Sequence, residues 1–578
     1  MKQNTVVQRA PVVIVGAGPT GATAATLLAQ YGVSSLVLDR WDGVYPQPRA
    51  VHMDDEMYRV MARLGVAEQF AAISRPAHGL QLRDRDHRVL AEFRRDIAPG
   101  GNGYPQANMF DQPELENLLR QNLSRHPCIE LRGNTEVTGV EQLDDGRVQV
   151  TYRNRVDDTT TIHAADYVLG CDGANSMVRS TIGSAMEDLN FRQRWMVIDV
   201  DTDADLHQWE GVHQVCDPAR AATYMRIGST RYRWEFQLLD GETCDQFSDL
   251  STLKPLIAPW TGAVLDDRLK LIRVAEYTFR AQIANRWRRG NIFLLGDAAH
   301  LTPPFIGQGM GAGLRDAHNL AWKLAGVLSG DLPPIALDSY EGERKPHARS
   351  MIRLALAVGR FMTAGGEAGN LLRRVVVPRI GLIPGVRHRI VDSSTPALHR
   401  SFLVQRRRGP RSLIGTLCPN PALPDGRRLD DILGNSFALV TTQPLTVAQH
   451  ALAEGRGAAV HFVAAGSELA RWLHRGHTKA AIVRPDRTVM ATARRPGHLL
   501  TAVPDFRRTV RAIGNLGLYD EVTAHMHLGV AHRRTARLHH AVALALVVRR
   551  LVFAAASSVA SRVTIGGSHV RQRFSRKR

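Results

Sequence analysis

Four apolar residues, Val12 to Val15, lead into Gly16-Ala17-Gly18-Pro19-Thr20-Gly21; a helical pattern then runs through Leu28, and SSLVLDR supplies a second apolar run ending at Asp39. The predicted order is strand, turn, helix, strand. Between about 145 and 170, RVQVTYR and YVLGCDG read as strands bracketing a turn. From 193 to 240 the pattern changes to long alternating segments, ATYMRIG and RYRWEFQLL, joined by a turn containing GST. This predicts an antiparallel sheet inserted between the nucleotide-binding pieces. Alternation puts Tyr224 and Arg226 on one face and Met225 on the other, while Trp234 and Phe236 share a face.

Further on, IFLLGDAAHLTPPFIGQGMGAG (292–313) runs from an apolar strand end through Gly296-Asp297 and paired prolines into glycines at 307, 309, 311 and 313. Leu314, Ala317, Ala321, Leu324 and Leu328 follow with helical spacing, so a long helix is expected where the glycines stop, and another over 335–363. Prolines and arginines between 378 and 411 mark a junction, after which FALVTT, AVHFVAA and KAAIVRP suggest the strands of a smaller α/β domain. There is no internal repeat. A chain of 578 residues exceeds one ordinary hydrophobic core and implies two or three domains.

Composition changes this picture little, and charge more. The net charge of +19 is uneven: residues 501–578 contain 14 Lys/Arg against 3 Asp/Glu. Such a basic end suits acidic lipid headgroups or nucleic acid, yet no nucleic-acid motif accompanies it, and a solvated basic terminus is the plainer expectation. The five cysteines (128, 171, 216, 244 and 418) form no CxxC or zinc spacing, which points to a reducing, cytoplasmic setting. PVVIVGAGPTGATAATLLAQ superficially imitates a secretory signal, but its motif glycines favour a nucleotide fold. AVALALVV at 541–548 is stopped by Arg549-Arg550 and is too short to span a membrane.

In the first motif Gly16 permits the tight turn, Gly18 lets backbone approach a pyrophosphate, and Gly21 permits close helix–strand packing; the helix start adds amide donors and positive potential. Asp39, ending the next strand, is placed to accept from ribose hydroxyls. Taken alone, Cys171-Asp172-Gly173-Ala174-Asn175-Ser176 with Arg179 reads better as an ordinary aspartate-glycine turn at a strand end. At the third motif Asp297 lacks a nearby carboxylate in sequence, which argues against magnesium.

Taken together, the three motifs in this order and at these separations resemble the class A FAD-dependent aromatic hydroxylases over about residues 10–535, most nearly the 3-(3-hydroxyphenyl)propionate / 3-hydroxycinnamate hydroxylase group. Segments similar to that group include PRAVHMDDE, VCDPARAATYM, RRGNIFLLGDAAHLTPPFIGQGMGAGLRDAHNLAWKL, LDDILGNSFAL and VRPDRTV. The resemblance implies an α/β fold: a Rossmann-like FAD-binding domain (10–185 and 275–375), an inserted antiparallel-sheet substrate domain (186–274), a junction (376–409), a C-terminal thioredoxin-like domain without CxxC (410–535) and a basic extension (536–578). It implies FAD contacts from Arg49, Gln112, Gly296 and Asp297, with Asp172 and Arg179 marking the motif that serves FAD and the nicotinamide donor. Pro303 would wall the flavin, and the backbone of Gly307, Gly309, Met310 and Gly311 would lie along its pyrimidine edge, where a helix start favours negative charge.

Such enzymes take electrons from NADH or NADPH and use O2 to hydroxylate a phenolic ring; the cofactor carries the reactive electrons and the protein positions and desolvates. HExxH, EF-hand and P-loop patterns are absent, in keeping with that chemistry. A base beside the flavin would make a phenol more nucleophilic, and His52 is the candidate. Arg226 is expected to hold a substrate carboxylate and Tyr224 the phenol, against the alternative of ordinary sheet packing. A polyketide, resorcinol or steroid-derived phenol stays open as substrate, as does a non-catalytic flavin-binding protein acting through its basic end. Homo-oligomerisation and contact of the extension with a membrane surface stay open too, packing against the enzyme body being the commoner outcome for such a helix.

Overall fold

The first apolar run forms the strand Val12–Val15, buried at all four positions, which pairs in parallel with Ser35–Leu38 on one side and Tyr167–Gly170 on the other. Parallel neighbours need a crossover, and the helix Pro19–Gln30 supplies it. Ile129–Arg132 and Ile292–Leu294 extend the sheet in parallel and Arg288–Arg289 closes one edge antiparallel. Sequence-distant pieces thus meet in one sheet, so the three motifs open at the same strand ends. The structure is a computed structural model, and it describes residues 10–44, 50–95, 97–363, 395–407 and 409–507. The basic extension, most of the junction and Arg49 lie outside the described residues.

A second sheet of eight strands is largely antiparallel. Its two long strands, Met186–Asp201 and Lys270–Ala284, pair antiparallel, and Arg231–Gln237, Ala222–Arg226 and Val212–Val215 follow in order. Gly79–Arg83 then joins Val212–Val215 in parallel, and Val89–Arg94 forms the edge. The inserted sheet therefore recruits strands from both sides of 186–274. One face packs Tyr224, Tyr232, Trp234 and Phe236 under the helix Leu250–Thr261 and its Trp260, making a second core. On the opposite face Asp199 is buried but accepts from Arg233 and Arg273, Nε of each at 2.7 Å.

The long helix spans Gly309–Ser329, so it begins inside the glycine run and not after it. Small residues are needed there: a Cβ on Gly313 would lie 2.2 Å from Thr20 Oγ1 of the first helix, and one on Gly311 would crowd Arg315 and Met57. The next helix, Asp338–Thr363, follows a short 3₁₀ turn at Pro334–Leu337. No helix of the described residues is long and apolar enough to cross a membrane.

The C-terminal sheet runs Ala459–Phe462, Ala438–Thr441, Ala480–Val483, Val489–Ala493, with the first pair parallel and the others antiparallel. It is joined to the cofactor half by apolar packing, Trp322 against Phe437 and Phe506 edge to face, and by fully buried charge. Glu343 accepts from Lys323 Nζ at 2.8 Å, Arg484 Nη1 at 2.9 Å and Ser401 Oγ at 2.6 Å, while Arg484 also grips Asp486. Arg59 forks onto Asp430 at 2.6 and 2.7 Å. Burial would push the Glu343 carboxyl up, but Arg484 and Lys323 overcome it and bring its pKa to about 2. Since the ordinary value is 4.5, the stabilisation is complete above that pH and disappears as pH falls through about 2. Glu343→Gln should therefore lower the thermal midpoint at pH 7, because breaking a buried pair costs about 3–5 kcal/mol, and should flatten the loss of stability between pH 4.5 and 2. Differential scanning calorimetry across that range checks both.

Candidate functional site

The first helix begins at Gly18 with no side-chain cap, leaving its leading amides for something outside the chain. Gly16 holds φ +100°, and a Cβ there would come 2.5 Å from the Cys171 carbonyl oxygen, so the turn is possible only because the first and second motifs both yield room. Gly18 differs: nothing lies within 4 Å of a Cβ added to it. Gly21 faces inward, where a Cβ would meet the Gly16 carbonyl oxygen at 1.9 Å. Each glycine thus has a separate duty, two in the turn's architecture and one in leaving open space.

That space belongs to a cavity of about 1330 Å³, larger than a typical small-ligand pocket. Gly16, Gly18, Thr20, Asp39, Gln112 and Arg120 line one end, with Asp172 and Gly173 beside them. Asp39 Oδ2 accepts from the Ala17 amide at 2.7 Å and Arg120 Nη2 at 2.9 Å, and Oδ1 from the Trp41 amide at 2.8 Å. Gln112 Oε1 accepts from the Ala50 amide at 2.6 Å. Asp172 turns toward its own helix, accepting from Ser176 Oγ at 2.6 Å and the Val178 amide at 3.0 Å, while Arg179 donates to the carbonyls of Ala298 (3.0 Å) and Ala174 (2.8 Å). Arg179 therefore ties the second motif to the third and does not itself line the cavity.

Gly296, at φ +61°, and Asp297 line the middle. The Gly296 amide donates to Asp316 Oδ2 at 3.0 Å; the same oxygen meets His300 Nε2 at 2.7 Å, and Oδ1 accepts from Arg344 Nε at 2.8 Å. All of this lies in the interior. Gly307, Gln308, Gly309 and Met310 border the cavity next, with Pro304 of the expected Pro303-Pro304 pair, while Pro303 and Gly311 are not in its lining. Gln308 is braced by donating to Asp54 Oδ2 at 2.8 Å and accepting from Arg315 Nη1 at 2.8 Å.

His52 also lines the cavity, against Gly307, where an added Cβ would come 2.9 Å from Nδ1. Its Nε2 lies 3.4 Å from Arg95 Nη1. Burial, aided by the Arg95 charge, lowers its pKa to about 4, so the ring is neutral at physiological pH but a weaker proton acceptor than expected. Arg95 was not legible as a site residue. It lines the cavity and donates to the Gln106 carbonyl at 3.2 Å, and among the described residues it forms no ion pair.

The far end of the cavity is the sheet face carrying Trp195, Thr223, Met225 and Glu235, closed by Phe279 and Phe305. Here the expectation for Tyr224 and Arg226 is corrected. Alternation assigned them correctly to one face, but it is the face packed under Trp260, with the Tyr224 ring 5.8 Å from the Trp260 ring. Burial there pushes the Tyr224 hydroxyl well above its ordinary range. Arg226 pairs with Glu210 at 3.1 Å, outside the cavity.

A parallel βαβ unit whose open helix start, strand-end acid and glycine loop border one long cavity is the architecture of a dinucleotide-cofactor oxidoreductase. The chain belongs to the FAD-dependent aromatic hydroxylases: residues 9–355 match the family described as FAD binding domain, and relatives named for aromatic hydroxylation align over most of its length. A probable NADH-specific resorcinol 4-hydroxylase of Rhodococcus jostii is 38% identical over 61% of this chain and 65% of its own, just under two thirds of that relative. The 3-(3-hydroxy-phenyl)propionate/3-hydroxycinnamic acid hydroxylase 2 of Burkholderia vietnamiensis is 35% identical over 75% of this chain and 80% of its own. Among solved structures, the flavin-dependent monooxygenase PieE shares the fold with TM-score 0.71 and 23% identity, covering 87% of this chain and 99% of that one. Aklavinone-11 hydroxylase shares it equally, with TM-score 0.71, 24% identity, and coverage of 88% and 99%. The protein is therefore a flavoprotein monooxygenase whose cofactor is FAD.

The cavity passes a direct test of fit for FAD: uncapped helix amides, a glycine whose missing side chain is open space, and a volume of about 1330 Å³ lined by all three motifs. Gly18→Ala and Gly21→Ala separate cofactor binding from folding. The first should leave the thermal midpoint of the apoprotein unchanged while FAD affinity, followed by flavin fluorescence, falls at least tenfold, or about 1.4 kcal/mol. The second should lower both.

Proposed function

We propose that this enzyme hydroxylates a phenolic ring bearing a meta substituent, the pattern common to 3-(3-hydroxyphenyl)propionate, 3-hydroxycinnamate and resorcinol, to give a product with one further hydroxyl ortho or para to the phenol, in aromatic catabolism. The observation supporting this most directly is that one cavity is lined both by the glycine motifs and by Trp195, Phe279 and Phe305, with Arg95, a cation lacking an ion pair among the described residues, in its lining beside His52. FAD would be held by the amides at Gly18, by Asp39 and Gln112 toward the ribose, by Asp297 along the ribityl chain, and by backbone from Gly307 to Met310 at the pyrimidine edge; Arg49 is kept in the same role. When bound, FAD supplies acceptance of hydride from NADH or NADPH and activation of O2 toward the ring.

The chain's own groups do the rest. Arg95 stabilises negative charge on the phenolic oxygen in a site screened from water, which raises electron density on the ring carbon to be hydroxylated. His52, neutral there, faces the Arg95 guanidinium through Nε2 and helps hold it in place; the depressed basicity argues that the phenolic proton is not retained on the imidazole. Trp195, Phe279 and Phe305 exclude water and hold the ring by its faces. We read the region from 410 onward as a thioredoxin-like appendage with a structural role, since its one cysteine, Cys418, is buried and unpaired with another cysteine.

The reading is tested by following NADH and NADPH consumption with a panel of phenols and identifying product by mass; consumption without oxygen incorporation would overturn it. Arg95→Met should lower kcat/KM on the order of 100-fold and move the ascending limb of the pH–rate profile upward toward the free phenol's pKa. No inflection near 6.5 should arise from His52, whose pKa is about 4. Asp297→Ala should reduce flavin content without unfolding the protein.

A further inference from the structure

On the sheet face that closes the cavity, Glu235, Thr223 and Gln214 form one row across three adjacent strands, since Glu235 pairs in register with Thr223 and Thr223 with Gln214. All three line the cavity and are 7%, 6% and 4% exposed. Around them the wall is apolar: Trp195, Met225, Val212 and Leu82. Two members of the row satisfy each other, Thr223 Oγ1 donating to Gln214 Oε1 at 2.9 Å and Gln214 Nε2 donating to the Ala222 carbonyl at 3.1 Å. Glu235 does not share in this. Among the described residues no hydrogen bond or ion pair reaches its carboxyl group, and Arg233 and Arg273, whose charges act on it, both place Nε 2.7 Å from Asp199.

The Glu235 carboxyl group therefore has no protein partner among the described residues and faces the cavity, where its oxygens are open to a ligand's donor. Burial also holds the Glu235 carboxyl above its ordinary range against the pull of Arg233. We propose that Glu235 determines specificity at this end: it accepts a hydrogen bond from a hydroxyl on the substrate's second substituent and disfavours a carboxylate in the same place. This deepens, and rests on, the hydroxylase reading above. Among meta-substituted phenols it selects dihydroxylated rings over aryl-alkanoic acids, because an acid placed here would face a second carboxyl group with no cation paired to it among the described residues.

The test uses FAD-loaded enzyme, wild type beside Glu235→Leu and Glu235→Gln, each first shown to keep wild-type flavin content and thermal midpoint. Resorcinol and 3-(3-hydroxyphenyl)propionate are titrated and Kd read from the change in flavin absorbance, without turnover. Wild type should bind resorcinol the more tightly. Glu235→Leu should weaken resorcinol on the order of tenfold and tighten the acid; Glu235→Gln, which keeps an acceptor, should hold resorcinol within a few-fold and still relax exclusion of the acid. Equal shifts for both ligands, unchanged affinities, or no spectral response to either would overturn the assignment. Because binding is read apart from catalysis, an enzyme that discriminates in this way yet oxidises NAD(P)H no faster with any phenol would sink the hydroxylase reading and leave Glu235's selectivity measured.

Discussion

Asp316 lies two turns into the helix that follows the glycine loop, with one oxygen on the Gly296 amide and His300 and the other on Arg344. Burial alone would push its carboxyl up, but His300 and Arg344 hold it below the ordinary range, so it is ionised inside the protein. A charge buried at this depth is tolerated only while every partner is in place. It therefore fixes the relative positions of a strand end, a helix and the next helix, which together border the middle of the cavity. The glycine loop, Gly296 and Asp297 inherit their places from this one anion.

Much of this was legible from residue types. The apolar runs, the glycine spacings and the acid at the end of SSLVLDR gave the parallel sheet and the cofactor end, because those positions are constrained by backbone geometry that few residues satisfy. The substrate end was less so. A period of two says which residues share a face and leaves open which face meets a ligand; Tyr224 and Arg226 went to the wrong side because the covering helix Leu250–Thr261 announces itself only in three dimensions. Arg95 and Glu235 have no motif around them. Their meaning comes from enclosure and from the absence of ion pairs among the described residues, neither of which spacing encodes. The start of the long helix was misplaced for a related reason, since glycine's low helix propensity was overridden where Thr20 demands bare backbone.

The C-terminal sheet shares in the same economy of buried charge. Glu343 and Lys323 come from the two long helices, Arg484 and Asp486 from the appended domain, and none is exposed enough to be hydrated. Neither half can hold these ions comfortably without the other. The helix whose start borders the cavity is thus tied to the appended domain about three turns further along, directly by Asn319 donating to Asp486 at 3.3 Å and indirectly through Glu343, which Asn319, Lys323 and Arg484 share.

The two faces of the eight-stranded sheet lead different lives. Tyr224, Trp234 and Phe236 are locked among one another, while Thr223, Met225 and Glu235, interleaved with them on the same strands, turn to the opposite face and line the cavity. Neighbouring positions on one strand therefore serve separate ends, one set packing a core and the other lining the cavity. Such interleaving lets a lineage change its diet by single substitutions at alternate positions while the scaffold and its cofactor remain as they were.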